Sequence, residues 1–107
     1  MNIREVTVEE KVKWNEFVDH GVGGSFLQTF EWSEFMSAHK EKIYRFVVEE
    51  ENEWLSVIFL YKSRLKMKQS ILYAPRGPVF SSKSKVQSLK SKVFELIMQR
   101  IEEIAGE

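Results

Sequence analysis

Two short stretches hold the residues whose types and spacing could do chemistry. In "YAPRGPVF", residues 73–80, both prolines of the chain and one of its five glycines surround Arg76. Pro75 and Pro78 set backbone angles, and Gly77 permits a positive φ or a close backbone approach. Arg76 is thereby displayed on a stiff segment that leads towards a helix. A planar guanidinium there suits a phosphate or a carboxylate, which it binds through two parallel hydrogen bonds. In "SFLQTFEWSEF", residues 25–35, aromatic side chains and a leucine flank Gln28, whose amide could hold a loop backbone or a ligand group. Phe26, Trp32 and Phe35 also fit simple helix packing. Two readings of the proline stretch stay open on these grounds: a strand-to-helix connector with an exposed arginine, and a loop that shapes a substrate-facing backbone.

The usual catalytic constellations are not legible. His20 and His39 fall at helix ends, where histidine commonly caps, and no pair of histidines has zinc-site spacing. The acidic run Glu49 to Glu53 sits in a turn, and a solvated face explains it better than an oxygen-ligand metal loop. Ser81, Ser82 and Ser84 have no base or nucleophile-elbow glycines near them and read as capping residues. The chain has no cysteine, which removes disulfides, thiolate metal sites and a thiol nucleophile. The glycine-rich "GVGGSF" matches neither phosphate-loop spacing and reads as a turn.

The elements that must position these residues follow from the hydrophobic pattern. Asn2 to Val6 reads as a strand, and Thr7-Val8-Glu9-Glu10 as a capping box opening a helix to His20. That helix carries Val8, Val12, Trp14, Phe17 and Val18, with Gly21 as its stop. A second helix is expected from Thr29 to about Lys40, with Trp32, Phe35 and Met36 on one face. Ile43–Glu50 and Trp54–Leu65 read as an antiparallel hairpin turning at Asn52. The unbroken apolar run inside the second of these strands predicts cover on both faces. Residues 63–70 form a basic loop, Ile71–Ala74 a further strand, and Ser84 onward a long amphipathic helix with a capping box from Ser84 to Gln87. The expected fold class is α/β in the α+β sense: a mixed or antiparallel sheet of about four strands, flanked by three helices.

Composition limits the partners. At 107 residues the chain is one domain at most, and 43% hydrophobic with 30% charged residues suits a soluble fold. Sixteen basic and sixteen acidic side chains cancel, so bulk charge favours neither nucleic acid nor an anionic membrane. No apolar run is long enough to span a bilayer and no signal-peptide layout opens the chain, so a cytoplasmic location is expected.

The order strand, helix, helix, three strands, helix resembles the front half of a GNAT-type acyltransferase fold. On that likeness residues 1–107 are the N-terminal part of a GNAT-like domain, expected to be incomplete, with an open sheet edge that invites self-association. A closer resemblance rests on the motifs. The helix with Trp14 and Phe17, "FLQTFEW" at 26–32, the hairpin and "YAPRGPVF" at 73–80 resemble the N-terminal segment of the FemA/FemB/FemX aminoacyltransferases. Those enzymes are similar to one another in F-L-Q-S-x-x-W and Y-x-P-R-G-P-V at this separation; here Thr29 stands where serine is more frequent. The resemblance covers the chain from about Trp14 onward.

It implies transfer of an amino acid from aminoacyl-tRNA to the peptide of a peptidoglycan precursor, which builds interpeptide bridges. The precursor is a lipid-linked or nucleotide-linked muropeptide, and no metal, acetyl-CoA or sequence-specific nucleic acid is expected. The candidate substrate-binding residues are Arg76, Gly77, Gln28, Trp32 and Tyr73, with no side chain assigned to catalysis or to a metal. In some members a lysine on the second helix approaches the precursor's diphosphate. Met36 falls near that position, leaving Lys40 and Arg76 as candidates for the charge. The competing class is a non-catalytic remnant of the fold that acts as a binding or interaction module.

Overall fold

The computed structural model describes residues 1–21, 29–38, 42–64, 70–73 and 77–105. Its frame is a long hairpin of β2 (Lys42–Glu50) and β3 (Glu53–Arg64). Glu50 pairs with Glu53, so the turn is Glu51–Asn52, with φ of 51° and 66°. Two successive left-handed residues match the right-handed twist of the flanking strands, and asparagine tolerates that conformation well. Just inside the turn the register shifts. Val48 faces Ser56 but Glu49 faces Trp54, so Leu55 is an extra residue, a β-bulge. The bulge inverts the side-chain alternation of β3: Leu55, Ile58 and Leu60 share one core, and Trp54, Val57 and Phe59 the other.

β1 (Asn2–Glu5) pairs with β2, while β4 (Ser70–Tyr73) and β5 (Val79–Phe80) both pair with the free side of β3; every pairing is antiparallel. One face of the sheet is covered by α1 (Lys11–His20) and α2 (Phe30–Ala38), which bring Trp14, Val18 and Phe30 onto Val47, Val57 and Phe59. The other face is covered by α3 (Ser84–Gln87) and α4 (Lys90–Ala105), which bring Val86, Val93, Ile97 and Ile104 onto Tyr44, Phe46, Ile58 and Leu60. The central strand is thus dry on both sides, as its continuous apolar run requires. Trp14, Val57, Phe59, Val93 and Ile97 are all buried, as expected, whereas Phe17 is only partly so.

Three local expectations are corrected. Thr7 stands at the cap, as expected, but the α-helix proper begins only at Lys11. The Glu10 carboxylate accepts the Thr7 backbone N–H (2.9 Å) as a capping box should, but Val8–Glu10 winds as a 3₁₀ turn before α1. Val8, in that turn, is 69% exposed, and Val12, about 200° around α1 from Trp14, is 70% exposed. Trp14, Phe17 and Val18, spaced i, i+3 and i+4, do the docking.

The C-terminal helix is likewise not continuous. It breaks after Gln87, where the Ser88 hydroxyl donates to the Lys85 carbonyl (2.8 Å) and competes with the helical ladder. Lys83, not Ser84, stands at the cap position. The Val86 and Gln87 amides donate to the Lys83 carbonyl (3.0 and 3.4 Å), and Ser81 braces the approach, its Oγ accepting from Lys83 N (3.3 Å) and its carbonyl from Gln87 Nε2 (3.1 Å).

The third correction concerns the proline stretch. Tyr73 faces Tyr61 and Val79 faces Val57, so six steps of chain span what β3 covers in four. "YAPRGPVF" is therefore an interruption with two surplus residues inside one edge strand, not a strand-to-helix connector. The resumed strand is anchored firmly. The buried Ser56 hydroxyl donates to the Val79 carbonyl (2.7 Å) and Ser81 N donates to the Leu55 carbonyl (2.9 Å). Gly21, at the end of α1, lies so close that a Cβ there would sit 2.5 Å from Val79 Cγ1 and 2.9 Å from the Phe80 carbonyl. Gly21 ends α1 as expected, but with φ −84° it is the close approach, not a left-handed turn, that requires glycine there.

Candidate functional site

Trp32 and the cross-strand row that ends at Tyr73 fall on the same side of the sheet. Trp32, on α2, packs half-buried against the cluster built on Trp14, Val47 and Phe59, and Ile43 and Tyr61 rim that same cluster. Ile43 pairs with Tyr61 and Tyr61 with Tyr73, so one cross-strand row runs from β2 through β3 to β4. Trp32 and the Tyr73 row thus belong to one face and one end of the sheet. The Trp32 indole stacks on the Phe35 ring at 5.1 Å between centroids, with Phe35 half exposed rather than in the core. Gly77 has φ +71°, and a Cβ placed there would meet nothing within 4 Å. Its glycine is demanded by backbone conformation, not by crowding from the described residues. Arg76, Gln28, Lys40 and His39 lie outside the described residues, as do the side chains of Tyr73 and Met36.

The start of α2, which fixes Trp32, is held by a residue that sequence reasoning passed over. Asn15 of α1 accepts the Phe30 N–H through Oδ1 (2.8 Å) and donates from Nδ2 to both oxygens of Glu31. Thr29 caps the same turn, accepting Trp32 N–H at Oγ1 (3.2 Å). The available signal was a polar residue set between Trp14 and Phe17 on the docking side of α1.

Arg45 is a second residue missed. It occupies β2 beneath α2, with its Cζ 3.9 Å from the Phe30 ring centroid and Nε donating to Ser33 Oγ (2.6 Å). Ser33 is fully buried and its hydroxyl donates in turn to the Phe30 carbonyl (2.6 Å). Burial pushes the Arg45 guanidinium below its ordinary pKa, opposed only by the charge of Glu34. A continuous apolar pattern around "YRFVV" hides such an inward arginine, because the reading of β2 rests on its hydrophobic neighbours.

Chemically, the described part of the site offers aromatic stacking at Trp32 and Phe35 and the positive charge of Arg45. Among the described residues no group of three His, Cys, Asp or Glu side chains could hold a metal ion. His20 is exposed at the end of α1, 3.8 Å from Asp19. No helix among the described residues is long and apolar enough to cross a membrane.

The sequence profile of the FemAB family matches residues 9–99, from just before α1 into the last turns of α4, and includes both motif stretches. No curated protein matches the chain. With the match running over most of its length, the chain belongs to the FemAB family, whose activity at family level is aminoacyl transfer in peptidoglycan bridge formation.

Proposed function

We propose that this chain carries the precursor-facing part of an aminoacyltransferase that moves an amino acid from aminoacyl-tRNA to the peptide of a peptidoglycan precursor. One observation carries the reading: the family match extends across both motif stretches, and the sheet register gathers Trp32 and the Tyr73 row onto one face. In this reading Arg76, Gly77, Gln28, Trp32 and Tyr73 contact the muropeptide. The prolines hold Arg76 ready to bind an oxyanion, and the aromatic rim receives the sugar or peptide. The reaction joins the acceptor amine nitrogen to the aminoacyl carbonyl carbon. The ester bond to the tRNA ribose breaks, and the amine proton passes to the departing oxygen or to water. The protein's share is orientation of the two reactants and stabilisation of the charge that develops on the carbonyl oxygen.

The same proposal places the chain in the cytoplasm, as the N-terminal part of a GNAT-like domain. It also has the β4–β5 edge available to a second copy, since an edge strand presents unpaired backbone groups.

The test uses a full-length protein containing this chain, radiolabelled aminoacyl-tRNA and a muropeptide acceptor. Labelled acceptor should form, and Arg76→Ala should weaken muropeptide binding by about 10- to 150-fold, the loss of one charge-assisted contact of roughly 1.5–3 kcal/mol. Equal calorimetric affinities for the two proteins would reduce Arg76 to a surface residue. Absence of labelled product with every acceptor tried would sink the enzymatic reading.

A further inference from the structure

Two arginines of this chain meet opposite fates. Arg4 is fully engaged: Nε donates to Glu49 (2.7 Å), and Nη1 and Nη2 donate to the two oxygens of Glu10 (2.9 and 2.8 Å). Arg45 is held just as firmly but by neutral groups. Its face lies on the Phe30 ring and its Nε bonds Ser33 Oγ, whose own proton is committed to the Phe30 carbonyl. Those supports are rigid, because Phe30 is buried and its backbone N–H is fixed by Asn15. Among the described residues the two terminal nitrogens, with four N–H donors, make no hydrogen bond and have no carboxylate within ion-pair distance. Glu34, the acid nearest in charge, is occupied by Lys11 (2.9 Å).

A cation partly removed from water and left without a counter-ion is unfavourable, and stacking on a ring offsets only part of that. Its remaining donors form a planar fork whose orientation is already set, which is the arrangement that recognises an oxyanion through two parallel bonds. We propose that Arg45 is an anion-binding residue at the seam of α2 and β2, taking a phosphate or carboxylate group of a ligand through its Nη1–Nη2 edge. The inference goes beyond the aminoacyltransferase reading and does not depend on it.

The experiment follows the Arg45 Nε–H resonance in the unsubstituted protein while inorganic phosphate, or in a parallel arm acetate, replaces chloride at constant ionic strength. Arg4 Nε–H serves as the internal control. The expected result is a saturable shift of the Arg45 signal with the Arg4 signal still. Saturation by phosphate alone identifies a phosphate ester as the natural group, and saturation by acetate alone identifies a carboxylate. An Arg45 signal that does not move in either arm, or that drifts in step with Arg4, overturns the proposal. Arg45→Lys keeps the charge and loses the fork, and should bind the responding anion at least about tenfold more weakly. Undiminished binding by Arg45→Lys would also overturn it.

Discussion

Arg4 ties three parts of the sequence together, because its two carboxylate partners come from the first helical turn and from the end of β2. The bond to Arg4, aided by the Thr7 N–H, holds the Glu10 carboxyl down at about 2, against an ordinary 4.5. Folding therefore favours the ionised form: the associated stability is complete above about pH 4.5 and disappears as the pH falls towards 2. Since the pair is partly wet, its worth is about 1 kcal/mol rather than the several that full burial would bring. Glu10→Gln should lower stability by that amount at pH 7 and leave it unchanged near pH 2, as read by urea unfolding at the two pH values. A loss equal at both would mean the carboxylate's charge is irrelevant. In the core, Trp14→Ala removes a fully buried indole that anchors α1 to the sheet and should cost about 3–5 kcal/mol. Val12→Ser, on the same helix but exposed, should change stability by less than about 0.5 kcal/mol. Hydrophobicity alone makes the two look alike, but at about 100° per residue Val12 lies about 200° around α1 from Trp14, on the side away from the Trp14, Phe17 and Val18 face.

At the scale of elements, long periodic segments were legible and short paired ones were not. The hairpin, α1, α2 and the bulk of α4 announce themselves because each buries a stripe or an alternating set large enough to show in the sequence. β5 has two residues and follows a proline, so nothing local marks it as a strand. Its existence is decided by β3, by the Ser56 hydroxyl and by the close approach of Gly21. The joint between α1 and β5 is accordingly sensitive. Gly21→Ala would force a Cβ against Val79 Cγ1 with backbone carbonyls on two further sides, so the strand or the helix must shift. A loss of about 1–3 kcal/mol is expected, with faster amide exchange at Val79 and Ser81 as its local signature. Unchanged exchange at those amides would show that the joint yields elsewhere. Of the candidate residues, Gly77 shows the positive φ its sequence context allows and Trp32 shares an aromatic helix face with Phe35. Asn15 and Arg45 were not legible, because polar residues directed inward look the same in sequence as polar residues directed at solvent.

Over the whole molecule, the twelve-residue β3 sets the long dimension, and the principal extents are 45 × 26 × 21 Å. The radius of gyration, 13.6 Å, is still close to the roughly 13 Å expected of a packed chain of this length. Both sides of the sheet are spent on helices, so intermolecular contact falls to the edges. β1 is short and carries Arg4 and Glu5, which discourages pairing; the β4–β5 side carries prolines within its interruption. Self-association through that second edge should be weak and dependent on concentration. Light scattering coupled to size exclusion should give a mass that rises above one chain only at high protein concentration, and a tight dimer throughout would point to a different surface.

The two surplus residues of the edge strand have a mechanical meaning. Their segment is a tether whose ends are pinned to one rigid strand, four residue steps or about 13 Å apart, with only about a third of its contour to spare. Whatever binds between those two pinned ends binds within a few residue steps of β3. Cutting out Arg76 and Gly77 would remove the slack altogether. The count of residues would then match β3 from Ser70 to Phe80, but Pro75 and Pro78 would stand side by side opposite β3 without an N–H to donate, so the shortened protein should melt below its parent.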